Sequence, residues 1–179
     1  MAGEKGRTAA EVAKAWKTAE AEIARERKNR EKKGEHFTGL TKEEFEKKMG
    51  RAESPMIVWQ SWGGGVPPGG SLPYSVGVQN PDPVAWQYLA VSVAVGNRNA
   101  IVGNDEFMTT FDARFPTYAQ PQPFGFSLAP GATASQSFTI KVPAGVEKTG
   151  YFGNSCLMQL SWHDVGKYLD RGLFFFEVV

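Results

Sequence analysis

The sequence predicts a mainly β protein, an antiparallel β-sandwich that carries a charged α-helical arm at its N-terminus. Two observations predict the sandwich: apolar residues recur at every second position in several segments, and dense turn signals separate those segments. A third observation predicts the arm, because charged residues crowd into the first 54 positions. We therefore divide the chain into a helical arm, residues 1–54, and a sandwich domain, residues 55–179.

Charge is distributed very unevenly along the chain. Residues 1–54 contain 14 Lys or Arg and 11 Glu, whereas residues 55–179 contain 6 Lys or Arg and 8 Asp or Glu. The net charge of the whole chain is only +1, which argues against bulk electrostatic binding of nucleic acid.

The compartment is predicted from what the sequence lacks. A single cysteine, Cys156, rules out an intrachain disulfide and fits a reducing compartment. No apolar window is long enough to span a membrane, and the first residues do not form a secretory signal. We therefore expect a cytoplasmic protein, with export by a signal-independent route left open.

The first helix of the arm is predicted over residues 8–33. Thr8 and Glu11 form a Thr-x-x-Glu capping box at its start. An apolar stripe with helical spacing follows and consists of Val12, Trp16, Ala19 and Ile23. The stripe stops before residues 26–33, which are nearly all charged. This pattern favours a solvated helix docked by its first half, ahead of a partner-binding or oligomerisation helix and of a nucleic-acid-binding arm.

A second, shorter helix is predicted over residues 41–50, again with a capping box. Its only apolar face consists of Phe45 and Met49, so this helix must lean on another element. We predict that the arm contacts a neighbour or cargo through its apolar residues, which are Val12, Trp16, Ile23 and Phe45.

Strands of the sandwich domain are predicted from period-two alternation. Residues 69–95 contain two such strands, and the turn Asn80-Pro81-Asp82-Pro83 between them suggests a hairpin. Further strands are predicted at 133–142, 151–162 and 173–179. The last run is apolar on both faces, so Phe174 and Phe176 are expected to meet another element or a subunit.

Two groups of turn signals recur together in this domain. The first group runs from Pro68-Gly69-Gly70 to Asn80-Pro81. The second runs from Leu128-Ala129-Pro130-Gly131 to Val142-Pro143-Ala144-Gly145 and is followed by Gly150-Tyr151. The pattern over residues 56–179 resembles the bacterial immunoglobulin-like domains of the CARDB and NEW3 type. The resemblance implies an immunoglobulin-like sandwich used for adhesion, spacing or assembly, and it implies no catalytic residues.

Catalytic and metal-binding patterns are sparse. A Ser-His-Asp hydrolase site at His163 is the third-ranked function, because no nucleophile-elbow motif accompanies it. Asp164 and Asp170 are candidate calcium ligands, against the alternative that the charged residues of this loop pair with one another. One cysteine and two distant histidines cannot complete a four-ligand zinc site. We therefore predict no cofactor and no enzymatic activity.

Aromatic residues near loops point to an alternative function. Tyr118, Phe124 and Phe126 lie in or beside a proline-rich segment, where exposed rings can stack on sugars or anchor a protein partner. Trp59 and Trp86 are expected to fill the sandwich core instead. The alternative function is therefore a carbohydrate-binding or adhesion module.

The main functional prediction follows from the charge partition. A domain with only 14 charged residues in 125 has a surface of small, neutral and apolar groups, and the cores of protein interfaces are depleted of charge in the same way. We therefore predict a non-enzymatic structural protein whose sandwich packs into a homo-oligomer or a larger assembly with protein partners. The predicted contact positions in the sandwich are Ser75, Gln79, Ser92, Phe174 and Phe176.

Overall fold

The computed structural model describes residues 7–50, 55–97, 126–141, 144, 149–162 and 167–179. Its elements, in chain order, are α1 (Ala9–Lys32), β1 (His36–Gly39), α2 (Lys42–Met49), β2 (Met56–Trp62), β3 (Ser71–Gln79), β4 (Trp86–Asn97), β5 (Phe126–Leu128), β6 (Thr133–Lys141), β7 (Thr149–Trp162) and β8 (Lys167–Val178). Both helices expected near the N-terminus are present, and the capping box between Thr8 and Glu11 starts α1. Among the described residues, no helix is both long and apolar enough to cross a membrane.

The strands form two antiparallel sheets of four strands each. The first sheet has the strand order β1-β2-β3-β6, and the second sheet has the order β5-β4-β7-β8. Because β3 and β4 lie in different sheets, the expectation of a hairpin over residues 69–95 is wrong. A tight hairpin uses a turn of about two residues, whereas residues 80–85 here form a longer connection that carries the chain from one sheet to the other.

Asn80 fixes this connection. Its side-chain amide donates hydrogen bonds to the carbonyl oxygen of Val84 at 2.8 Å and to those of Leu128 and Ala129 at 3.2 Å each. Asn80 is fully buried, and buried polar groups of this kind are stabilising only when their hydrogen bonds are satisfied. The amide therefore joins the connection to the end of β5.

One buried cluster contains side chains of both sheets. The first sheet contributes residues of β2 and β3 such as Leu72 and Val76, and the second sheet contributes Leu89, Phe174 and Phe176. The ring of Phe174 stacks on Trp62 at 4.7 Å and on Tyr74 at 4.8 Å between centroids.

A second buried cluster lies on the opposite face of the first sheet, under α1 and α2. It joins apolar residues of both helices to Met56, Val58 and Trp59 of β2. A register shift between Ile57 and Trp59 allows the sequence neighbours Val58 and Trp59 to enter the same cluster. Strand β2 of the first sheet is therefore covered on both faces by this chain.

Strand β1 was not predicted, because its four residues are too short to show a period. It pairs antiparallel with β2, from His36 opposite Trp62 to Gly39 opposite Trp59. Gly34, with φ of 73°, turns the chain after α1. The N-terminal segment therefore contributes an edge strand to the first sheet in addition to its two helices.

Candidate interaction surface

The apolar stripe of α1 faces its own chain. Ile23 and Phe45 are buried, Val12 and Trp16 are half-buried, and all four belong to the cluster on β2. The rings of Trp16 and Phe45 lie 5.3 Å apart. The predicted role of these four residues in contacting a neighbour is therefore replaced by an intramolecular one, because β2 presents an apolar outward face that would otherwise meet water.

The charged second half of α1 docks as well, which sequence reasoning missed. The guanidinium of Arg27 lies 5.2 Å from the ring centre of Phe37, and that of Arg30 lies 5.3 Å from the ring centre of Trp59. Such cation–π contacts are worth about 0.5–2 kcal/mol. Arg27 lies four residues after Ile23, and Arg30 lies three residues after Arg27, so both continue the same face of the helix. A search for apolar residues alone does not detect this continuation.

Helix α1 also covers the two β3 positions that were expected to meet a neighbour. The Nη1 atom of Arg30 donates to Oγ of Ser75 at 3.0 Å, and this hydroxyl lies 2.8 Å from that of Ser137. The Nε2 atom of Gln79 donates to the carbonyl oxygen of Ala15 at 3.0 Å. Both β3 side chains are buried, so this part of the neutral face is covered by the chain itself.

Phe174 and Phe176 lie in the cluster shared by the two sheets, with exposures of 2% and 1%. Of the two partners that the sequence allowed for them, another element and a subunit, the structure contains the first. Neither ring is available at the surface of this chain.

Asp170, a predicted calcium ligand, forms a buried ion pair instead. Its Oδ2 atom lies 2.7 Å from Nζ of Lys48 and accepts a hydrogen bond from the backbone N–H of Ile57 at 2.9 Å. Asp170 is only 2% exposed, and the pair links α2 to β8. Among the described residues, no group of three or more His, Cys, Asp or Glu side chains could hold a metal ion.

The two tryptophans expected in the core occupy different places. Trp59 is buried in the cluster beneath α1 rather than between the sheets. Trp86 packs partly buried against the shared cluster, and its Nε1 atom donates to Asp82 at 3.0 Å. Asp82 also pairs with Arg7 at 3.0 Å, which ties the start of the N-terminal segment to the connection after β3.

Several predicted site residues lie outside the described part of the chain. They are Tyr118, Phe124, His163 and Asp164. Phe126 begins β5 and is paired with Leu89, and Ser92 lies on β4 opposite Gln159. The carbohydrate and hydrolase interpretations therefore stay predictions.

Two surface features are candidate contact sites once these internal contacts are taken into account. A groove of about 750 Å³ runs between α1 and the start of α2, with Trp16, Ile23 and Leu40 among its lining residues and Arg27, Lys28 and Lys32 beside them. The other feature is β6, whose outward side chains Ser135, Ser137 and Thr139 are exposed and uncharged.

Comparisons with known proteins identify no family. No family model matches the chain, and no curated protein matches it. The C-terminal domain of wzt is similar over 81% of this chain and 78% of its own, with a TM-score of 0.47 and 10% identity. The sporulation control protein Spo0M from Bacillus subtilis is similar over 70% of this chain and 49% of its own, with a TM-score of 0.44 and 13% identity.

A Bacteroides uniformis β-glucuronidase is similar over 70% of this chain, with a TM-score of 0.46 and 12% identity. This chain spans only 13% of the glucuronidase and about half of Spo0M. Similarities at these TM-scores and identities carry no argument about the function of this chain.

Proposed function

We propose that the protein is a non-enzymatic assembly protein, built on an immunoglobulin-like sandwich that packs against other protein chains. The two four-stranded antiparallel sheets and their common buried cluster support the sandwich assignment. The low charge of residues 55–179 supports the assembly function, with 14 charged residues in 125.

The main support for the proposal is an uncharged surface on the first sheet that the N-terminal helices leave uncovered. Helices α1 and α2 account for the outward face of β2 and for Ser75 and Gln79 of β3. They do not account for β6, where three neutral outward side chains are exposed. The centres of protein interfaces are depleted of charged residues, so an exposed face without charges supports a contact surface at β6.

Strand β4 of the second sheet contains further uncharged positions. Ala90, Ser92 and Ala94 recur at every second position of its sequence. Their register partners on β7 are Ser161, Gln159 and Leu157, which are also uncharged. This pattern keeps Ser92 as a proposed contact position.

The proposal changes the part played by the N-terminal helices. Their apolar residues stabilise the first sheet, and in the described part of this segment the groove beside α1 remains open to a partner. The contacts that build the assembly are therefore proposed to lie on the two sheets. A single cysteine agrees with assembly in a reducing compartment such as the cytoplasm.

Particle size tests this function directly. We expect the purified full chain, or the tagged chain in a native extract of its source cells, to elute in gel filtration with light scattering as a multiple of its 19.6 kDa or within a larger particle. A mass of one chain in both samples, at concentrations up to the solubility limit, would rule the assembly function out.

A further inference from the structure

Among the residues that the structure describes, β6 is an edge strand that pairs with β3 on one side and with no strand on the other. It pairs with β3 through an uninterrupted register from Thr133 opposite Gln79 to Lys141 opposite Ser71. No charged residue and no proline occurs between Thr133 and Ile140. Its outward residues are exposed, because α1 covers β2 and β3 but not β6. A long, regular and uncharged edge is a ready template for another strand.

Among the described residues, the other three edge strands, β1, β5 and β8, are short or interrupted, whereas β6 is neither. Strands β1 and β5 are only 4 and 3 residues long. The register between the edge strand β8 and its neighbour β7 shifts between Leu160 and Ser161 of β7. The C-terminal end of β8 is also partly paired on its free side. There the N–H of Val66 donates to the carbonyl of Glu177 at 2.9 Å, and the N–H of Val179 donates to that of Val66 at 3.0 Å. Short length, bulges and covering segments are the devices by which sheets prevent edge pairing.

We propose that β6 pairs antiparallel with β6 of a second copy of this chain, with the two-fold axis at Ser137. This inference deepens the assembly function proposed above and rests on it. In this register Ser137 faces its own counterpart and Ser135 faces Thr139 of the other copy. Hydroxyl side chains directly opposite one another are favourable cross-strand pairs.

The chemistry of β6 fits a second copy in particular. A two-fold axis places identical surfaces together, so a strand that carries like charges would repel itself, and two-fold dimers are the commonest symmetric assemblies. The only charged residue of β6, Lys141, falls opposite Thr133 in this register, so no like charges oppose each other. Main-chain hydrogen bonds along the new pair supply the affinity, as in other cases of strand addition.

The consequence is one continuous sheet through both copies, with the two α1 helices on the same face and on either side of the axis. The exposed hydroxyl groups of Ser135, Ser137 and Thr139 from both copies then form the floor between those helices. Pairing through β6 thereby covers its backbone edge, and its outward face becomes part of one surface that both copies share.

Charge substitutions at Ser135 and Thr139 test the register. In S135K/T139K the two new lysines oppose each other across the axis, whereas in S135K/T139E each lysine opposes a glutamate. Within one chain these positions lie opposite Gly77 and Pro73, so neither variant opposes charges within its own sheet. We expect S135K/T139K to raise the dimer dissociation constant about tenfold in sedimentation equilibrium, and S135K/T139E to restore it to the wild-type value or below.

The variant A13K/A21K is the matched control, because it adds the same charge at two exposed positions of α1. Circular dichroism and thermal unfolding check that all variants keep the wild-type fold. If S135K/T139K is less stable as a monomer, the independent measurement is a mixture of S135K/T139K with S135E/T139E, which must form mixed dimers preferentially.

Equal effects of S135K/T139K and S135K/T139E, or wild-type assembly in both together with no preference in the mixture, would overturn pairing through β6. In that case the assembly function stands if the wild-type chain still self-associates or enters a larger particle. A wild-type chain that is monomeric throughout would overturn both proposals.

Discussion

Trp59 is the residue on which the packing of the first sheet depends most. It is 1% exposed, its ring stacks on Phe37 with the ring centres 5.7 Å apart, and the guanidinium of Arg30 lies 5.3 Å from the centre of the indole. The indole also lies directly on Gly77, its register partner in β3. A side chain at position 77 would occupy the space that the indole fills.

Gly77→Ala is therefore expected to be destabilising. The added Cβ would overlap the Trp59 indole, and overpacking of this kind costs about 1–3 kcal/mol of unfolding free energy. Urea unfolding followed by tryptophan fluorescence measures the loss. Gly64→Ala is the control, because an added Cβ there meets nothing within 4 Å, and it should change stability by less than about 0.5 kcal/mol. Equal effects of the two substitutions would show that the indole does not lie on Gly77.

The ion pair between Lys48 and Asp170 gives a second prediction at this scale. Lys48→Met leaves the carboxylate of Asp170 buried without its ammonium partner, which should cost about 3 kcal/mol. The double variant K48M/D170L removes both charges and should recover most of that loss. A double variant as unstable as the sum of the two single variants would mean that the two groups do not interact.

Asp170 also decides between the structural and the metal interpretation of its loop. Because its carboxylate is already held by Lys48 and by the N–H of Ile57, we expect the melting temperature to be the same in calcium and in EDTA. A rise of several degrees in calcium that Asp170→Asn abolishes would restore the metal prediction.

Helix α1 is the element where sequence and structure differ most instructively. Its start, its end and the apolar stripe were predictable, because capping boxes and helical spacing are local signals. The docking of its second half was not predictable, because Arg27 and Arg30 pack on the aromatic rings of Phe37 and Trp59, which lie outside the helix. The short strand β1 carries no periodic signal at all.

Strand pairing was also beyond the sequence. Alternation shows which residues share a face of a strand, but it does not show which strands are neighbours. The sequence therefore predicted a hairpin of β3 and β4, although these strands belong to different sheets. For the same reason, the neutral positions Ser75 and Gln79 read as contact sites. A small, uncharged face looks the same in sequence whether a neighbour or the chain's own helix covers it.

Arg30→Ala tests the docking of the second half of α1. The side chain is 15% exposed and contacts Trp59, Glu26 and Ser75, so its loss should cost about 1–2 kcal/mol and increase amide exchange in the last two turns of α1. Lys17→Ala, at an exposed position of the same helix, should leave both quantities almost unchanged. Matching results for the two variants would indicate that the second half of α1 is solvated, as the sequence alone suggested.

At the scale of the whole molecule, the N-terminal segment and the sheets should unfold together. The cluster beneath the helices, the pairing of β1 with β2 and the link from Lys48 to Asp170 all cross the boundary at residue 54. We therefore expect the helical circular dichroism signal and the tryptophan fluorescence to change at the same urea concentration. Helical signal lost at clearly lower urea would show that the segment is an independent arm.

We propose that uncharged surfaces of the two sheets, and not the N-terminal helices, hold the chain in an assembly. Hydrogen–deuterium exchange of the full chain in dilute and concentrated solution tests this proposal, because it locates the surface that association covers. We expect slower exchange on concentration in peptides of the sheets, β6 among them, with no change in α1. Slower exchange in α1 alone, or no change anywhere at concentrations where light scattering detects association, would contradict it.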